Sequence, residues 1–233
     1  MISVYKAQSR YTTDHGWLKS SFSFSFAEYY DPANMGFGPL RVFNDDVVQP
    51  LTGFGPHPHR EMEIVSIVLK GELEHKDSTG RQEVIRPGDV QRMSAGTGII
   101  HSEMNPSATQ EVNFLQLWFE PAKYGLAPSY EQTAYDPEQM VNRLLPVVSR
   151  EGGEQIARIH QDLTLYLSRL EPGAALTFEQ EEGRRIYLFV IEGDLAVNGE
   201  TALAKRDAAR ITDTPKLSLT SPSGAFFMLI DLP

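Results

Sequence analysis

The stretch "GFGPHPHREMEIVSIVLKGELEH", Gly53 to His75, sets two of the chain's six histidines either side of a single proline. In an extended chain residues i and i+2 share a face, so His57 and His59 present both imidazoles to one side. Pro58 favours that geometry, because proline pushes the residue before it toward β or polyproline backbone. The run "EIVSIVLKG" that follows is short and continuously apolar, as suits a buried strand. Two imidazoles side by side either hold a metal or line a pocket.

Outward from this stretch the chain reads as short strands between turns. In "SSFSFSFAEY" Phe22, Phe24 and Phe26 alternate with Ser21, Ser23 and Ser25, which predicts an aromatic face turned to the core. "EVNFLQLWFE", "RRIYLFVIEG" and "GAFFMLIDLP" read as buried strands, and the 18 glycines and 15 prolines fall mostly between such runs. The one helical signal is short: Asp136 as a cap, Pro137 at the first position, then Glu138, Gln139 and Met140. A weak internal repeat relates "VLKGELEHKDSTGRQEVIRPGDVQRM" to "VIEGDLAVNGETALAKRDAARI", matching Gly71 with Gly193 and Asp89 with Asp207. Two tandem all-β units of sandwich or small-barrel type follow. The expected division is residues 1–130, a turn-rich linker at 131–145, and residues 146–233.

The net charge of −10 and pI near 5.1 argue against a basic nucleic-acid-binding face. The opening segment has no apolar core of signal-peptide length, and no run of about 20 apolar residues is present to cross a membrane. A cytoplasmic location is expected. The absence of cysteine excludes disulfides, iron–sulfur clusters and cysteine nucleophiles. Any bound metal must therefore be held by nitrogen and oxygen.

A second short stretch supplies both. In "GTGIIHSEMNP", Gly96 to Pro106, His101 and Glu103 again stand at i and i+2. The two pairs, each on its own strand, can converge as three imidazoles and a carboxylate. Such a set suits iron, copper, nickel, manganese, cobalt or zinc. On an octahedral ion it leaves two positions open for oxygen or a chelating substrate.

These motifs carry a family resemblance. "GPHPHRE", "HKDSTG", "GDVQRMSAGTGIIHSEMN" and the upstream "GWLKSSFSFSFAEYYDP" resemble a pirin, of the bicupin branch of the cupin superfamily. The likeness is dense over the first 120 residues and thin after Tyr130. It implies a fold of two jelly-roll-like β-barrels and one divalent metal, iron first among the candidates, on His57, His59, His101 and Glu103. In many cupins the carboxylate ligand instead follows the His-x-His pair, which here is Glu63. With Glu103 as ligand, Glu63 is expected in the pocket, orienting a ligand. The resemblance further implies quercetin 2,3-dioxygenase activity, with a flavonol and molecular oxygen as substrates, Glu103 and Glu63 being the candidate catalytic carboxylates. It equally implies an alternative: a metal-dependent regulator acting through a protein partner, or a dioxygenase with another natural substrate. His15 and His160 read as surface or loop residues and His75 as structural. Met93, Met104, Phe37 and Phe54 are candidate pocket walls.

The second repeat tests for a second site. Carried across by the glycine and aspartate matches, His57 and His59 fall on Glu179 and Glu181, and His101 and Glu103 fall on Leu219 and Ser221. No imidazole remains there. Elemental analysis of metal-reconstituted protein should therefore return about one transition-metal ion per chain; two equivalents, or none, would contradict the single-site reading.

Overall fold

The computed structural model describes residues 1–233 and is all-β. Its only helical elements are two 3₁₀ turns, Ala7–Ser9 and Pro137–Met140. The second is the expected one. The Asp136 carboxylate accepts from the Glu138 amide at 3.0 Å, and Pro137 opens the turn.

The chain forms two compact units, and neither is continuous in sequence. One comprises residues 11–135 with 151–161, the other residues 1–10, 136–150 and 162–233. The division therefore differs from the head-to-tail one the sequence suggests. The strand Ile2–Tyr5 pairs with Ala208–Thr212 and so belongs to the unit built mainly from the C-terminal half. The segment expected as linker is also structured, since Ser129–Ala134 pairs with Asp89–Ser94 and Leu145–Ser149 with Thr164–Leu170. Which distant edge a strand joins is a non-local choice that local pattern does not encode.

The first unit holds two sheets. A seven-stranded sheet runs in the order Ser129–Ala134, Asp89–Ser94, Glu63–Lys70, Val112–Phe119, Leu40–Val48, Leu18–Phe22, Tyr11–Asp14. A four-stranded sheet runs Gly53–His59, Ile99–Met104, Leu73–Asp77, Gln82–Ile85. Every pairing in both is antiparallel. Leu18, Val48, Val68, Val112 and Phe114 of the larger sheet pack with Leu73 and Ile85 of the smaller. That cluster joins the two sheets into a sandwich at one end, and the histidine strands Gly53–His59 and Ile99–Met104 lie together at an edge of the smaller sheet.

The second unit is organised around the long strand Arg185–Val197, which pairs with Ala208–Thr212, Ala225–Leu232, Thr201–Ala204 and Lys216–Thr220. Its interior is filled by Leu188, Val190, Leu195, Leu203, Leu217, Leu219 and Phe227. Leu219 is thus core, and Glu179 lies at the surface paired with Lys216 at 2.8 Å.

The sequence repeat corresponds to matching local geometry. Asp89 Oδ2 accepts from the Arg86 amide at 2.9 Å, and Asp207 Oδ2 accepts from the Ala204 amide at 3.0 Å, the same turn in each unit. Gly71 and Gly193 have φ of +78° and +79°. A Cβ on Gly71 would lie 2.6 Å from the Glu111 carbonyl oxygen, and one on Gly193 would lie 2.1 Å from that of Gly224. Backbone strain and a backbone clash therefore act together at both positions. Gly193→Ala should destabilise the protein by at least about 2 kcal/mol, read as a lower denaturation midpoint in urea; an unchanged midpoint would refute the close approach.

Candidate metal centre

His57 and His101 are direct register partners on neighbouring strands, and His59 stands opposite Ile99. The pairing brings the three rings together, with centroids 4.4 Å apart for His57–His101 and 4.8 Å apart for both His57–His59 and His59–His101. One nitrogen from each ring lies within 4.8 Å of the others, and this is the only such cluster in the chain. The register shifts by one residue between His101 and Glu103, a bulge of the kind that re-aims side chains beside a site.

The electrostatics of the cluster favour a cation. Burial pushes the His101 pKa down to about 2, with His57, His59 and His75 adding repulsion. Burial, then His57, brings His59 down to about 4. Both rings are therefore neutral at pH 7 with a lone pair to offer. His57 Nδ1 is 2.8 Å from the Gly55 carbonyl oxygen, so it carries the proton and Nε2 is bare. His101 Nε2 is buried with no protein partner. Three converging imidazoles, one with an orphaned buried nitrogen, fit a transition-metal ion.

The two candidate carboxylates occupy different surroundings. Glu103 is buried, and its Oε2 accepts from Gln116 Nε2 at 2.6 Å. The Ser66 hydroxyl donates to Gln116 Oε1 at 2.5 Å and lies 3.4 Å from Glu103 Oε1. Burial raises the Glu103 pKa to about 7 against those hydrogen bonds. Glu103 lies outside the 4.8 Å imidazole group. Glu63 does not take the ligand-orienting position expected of it. Its Oε1 accepts from Ser94 Oγ at 2.7 Å, the His160 amide at 3.0 Å and His160 Nδ1 at 2.9 Å, and its Oε2 accepts from the Gln161 amide at 2.8 Å. Glu63 has the same odd-numbered parity as His57 and His59, but residues 60–62 turn between the two strands and break it. Glu63 instead anchors the 151–161 segment, where His160, a loop residue as expected, is its partner.

A cavity of about 240 Å³ in the same unit is bordered by His57 and Glu103. Its walls are largely apolar, with Phe22, Phe26, Phe54, Leu18 and Trp118, and polar groups enter from Ser20, Asn44, Asp46 and Gln116. Phe54 is the one expected wall residue found there. Met93 packs instead with Ile64, Ala95 and Ile99. Phe22 and Phe26, expected as plain core, line the cavity, with Phe26 edge-on to Trp118 at 5.3 Å. Strand Leu18–Phe22 ends at Phe22, and the departure from regular alternation after it swings Phe26 toward the cavity. The exposed His15 lines the cavity beside Thr13. Asn44, Asp46, Gln116 and Trp118 were not singled out from sequence. The available signal was polar residues interrupting apolar strands, as in "LRVFNDDVV" and "VNFLQLWF".

Comparison with known proteins agrees with this geometry. The model of the family described as Pirin matches residues 4–119, and that of the quercetinase C-terminal cupin domain matches residues 146–232. Quercetin 2,3-dioxygenase of Escherichia coli K12 is 42% identical over 233 residues, covering 100% of this chain and 99% of that one. The chain belongs to the pirin family. Among solved structures, the E. coli bacterial pirin YhhW in complex with nickel(II) is 40% identical with a TM-score of 0.95, covering 100% of this chain and 99% of that one. E. coli YhaK is 28% identical with a TM-score of 0.77, covering 97% of this chain and 95% of its own. No helix of this pirin is long and apolar enough to cross a membrane.

Asp46, on the cavity wall of this pirin, accepts a hydrogen bond from the Ser20 hydroxyl and is fully buried. Burial raises its pKa from 3.8 to about 7, with repulsion from Asp45 and Glu103 adding to the shift. The folded protein therefore holds more protons than the unfolded chain between those values, so stability falls as pH rises through the window. Asp46→Asn should flatten that slope, worth up to about 1.4 kcal/mol per pH unit, and should stabilise the metal-free protein above pH 7. Urea unfolding of both proteins across pH 4–8 checks this, and parallel curves would rule it out.

Proposed function

We propose that this pirin is a metal-dependent dioxygenase that opens the central ring of a flavonol, quercetin being the representative substrate. The site is single, formed by His57, His59 and His101 with Glu103 as the fourth group. The observation that carries the reading is the apolar, aromatic-walled cavity bordered by both His57 and Glu103. It is supported by the 42% identical E. coli quercetin 2,3-dioxygenase and by the nickel(II) complex of the 40% identical YhhW.

A flavonol carries a 3-hydroxyl beside a 4-carbonyl on a flat aromatic frame. Phe22, Phe26, Phe54 and Trp118 provide the apolar surface that holds such a frame and excludes water. A transition metal on the three imidazoles supplies Lewis acidity toward the oxygen pair and lowers the pKa of the hydroxyl. Glu103 is the proton acceptor. Its pKa near 7 matches the working pH, which is where general-base catalysis is most effective. Gln116 and Ser66 steer the carboxylate while it is charged. Dioxygen then adds to the electron-rich flavonolate, and the ring opens to a depside with release of carbon monoxide.

Quercetin mixed with metal-reconstituted protein in air should lose its long-wavelength absorbance and release carbon monoxide. Anaerobic, chelator-treated and His59→Ala samples should do neither. Glu103→Gln should lower turnover by about 10²–10⁴-fold. No turnover with any reconstituted metal, or wild-type turnover in Glu103→Gln, would overturn the assignment.

A further inference from the structure

His75 lies outside the three-imidazole cluster, yet it is fully buried and touches one of its members. It sits on the strand Leu73–Asp77, where Asp77 is the register partner of His101 and His75 that of Glu103. His75 Nε2 is 2.9 Å from Asp77 Oδ2. An ionised carboxylate only accepts hydrogen bonds, so the proton between them belongs to His75 Nε2. His75 Nδ1 takes a hydrogen bond from Gln91 Nε2 at 2.9 Å, so that nitrogen is bare. His101 Nδ1 lies 3.3 Å from the same His75 Nδ1. Two bare nitrogens would repel at that distance, so His101 carries its proton on Nδ1. The remaining nitrogen, His101 Nε2, is then a lone pair, and it is the buried atom with no protein partner.

We propose that Asp77 and His75 form a positioning pair that fixes the tautomer and ring plane of His101, so that Nε2 is the atom presented to the metal. The inference rests on the metal-site reading of the imidazole cluster and adds two residues that do not themselves touch the ion. The two oxygens of Asp77 divide their work. Oδ1 accepts from the Thr79 amide and hydroxyl at 2.8 and 2.5 Å and closes the turn, leaving Oδ2 to His75. Outer groups of this kind set ligand orientation, and their loss typically weakens metal binding about 10–100-fold.

Asp77→Asn separates the two jobs. Its side-chain oxygen keeps the turn, while its amide presents a donor to His75 Nε2. The His75 proton must then move to Nδ1. His101 Nδ1 becomes the acceptor, and the His101 proton moves to Nε2, the nitrogen required bare. Imidazole ¹⁵N–¹H correlation spectra of metal-free wild type should show His75 protonated at Nε2 and His101 at Nδ1, with both reversed in Asp77→Asn. Competition against a chelator should show nickel(II) binding about 10–100-fold weaker in Asp77→Asn. The wild-type spectra require no substitution, so they decide the relay even where the variant loses the turn. A His101 proton on Nε2 in wild type, or unchanged tautomers and nickel affinity in Asp77→Asn, overturns the pair. Wild type with the expected tautomers and no nickel binding overturns the metal-site reading instead, and with it the role given to the pair.

Discussion

The hydrogen bond from Gln116 to Glu103 crosses from the larger sheet to the smaller, and the site depends on it. Glu103 is buried between the two sheets, where a carboxylate without donors is costly, by about 1–3 kcal/mol or more for a charged group. Gln116 supplies the donor and is itself held by Ser66. These residues belong to one polar row across the larger sheet. Asn44, Gln116, Ser66 and Gln91 are successive register partners on four adjacent strands. Gln91, at the end of the row, donates to His75. One line of side chains across the larger sheet thus supports both the carboxylate and the histidine behind the imidazole cluster.

The two units show how the same framework serves opposite ends. Both use a left-handed glycine against a neighbouring strand and an aspartate-closed turn. In one, the interior carries imidazoles, amides and carboxylates around a cavity. In the other, Leu219 and its neighbours form an apolar core. The fold permits a site and does not require one. Chemistry resides in which side chains occupy the inward positions.

Much of this was legible in the chain itself. The His57–His59 spacing, the His101–Glu103 spacing and the matched glycines rest on local periodicity, and local periodicity survives folding. What was hidden shared a different cause. Glu63 has the right parity on paper, but the turn at residues 60–62 re-aims it toward Ser94 and His160. His75 reads as structural from sequence, and only the pairing of its strand with Ile99–Met104 brings it to His101. The aromatic run at Phe22 to Phe26 was read as uniform core, yet the strand ends within it and Phe26 turns to the cavity. Each miss is a question of tertiary partnership, which no window of sequence contains.

The discontinuity of the units also bears on how the chain is made. Ile2–Tyr5 leaves the ribosome long before its strand partner, Ala208–Thr212. Lys6 and the Ala7 amide likewise wait for Asp207, at 2.8 Å each. Meanwhile the buried Glu63 lacks the amides of His160 and Gln161 until about a hundred further residues have been synthesised. Each unit is completed only when a segment distant in sequence emerges, and Ile2–Tyr5 stays unpaired until then. Long-range closures of this kind slow folding and expose the chain to aggregation.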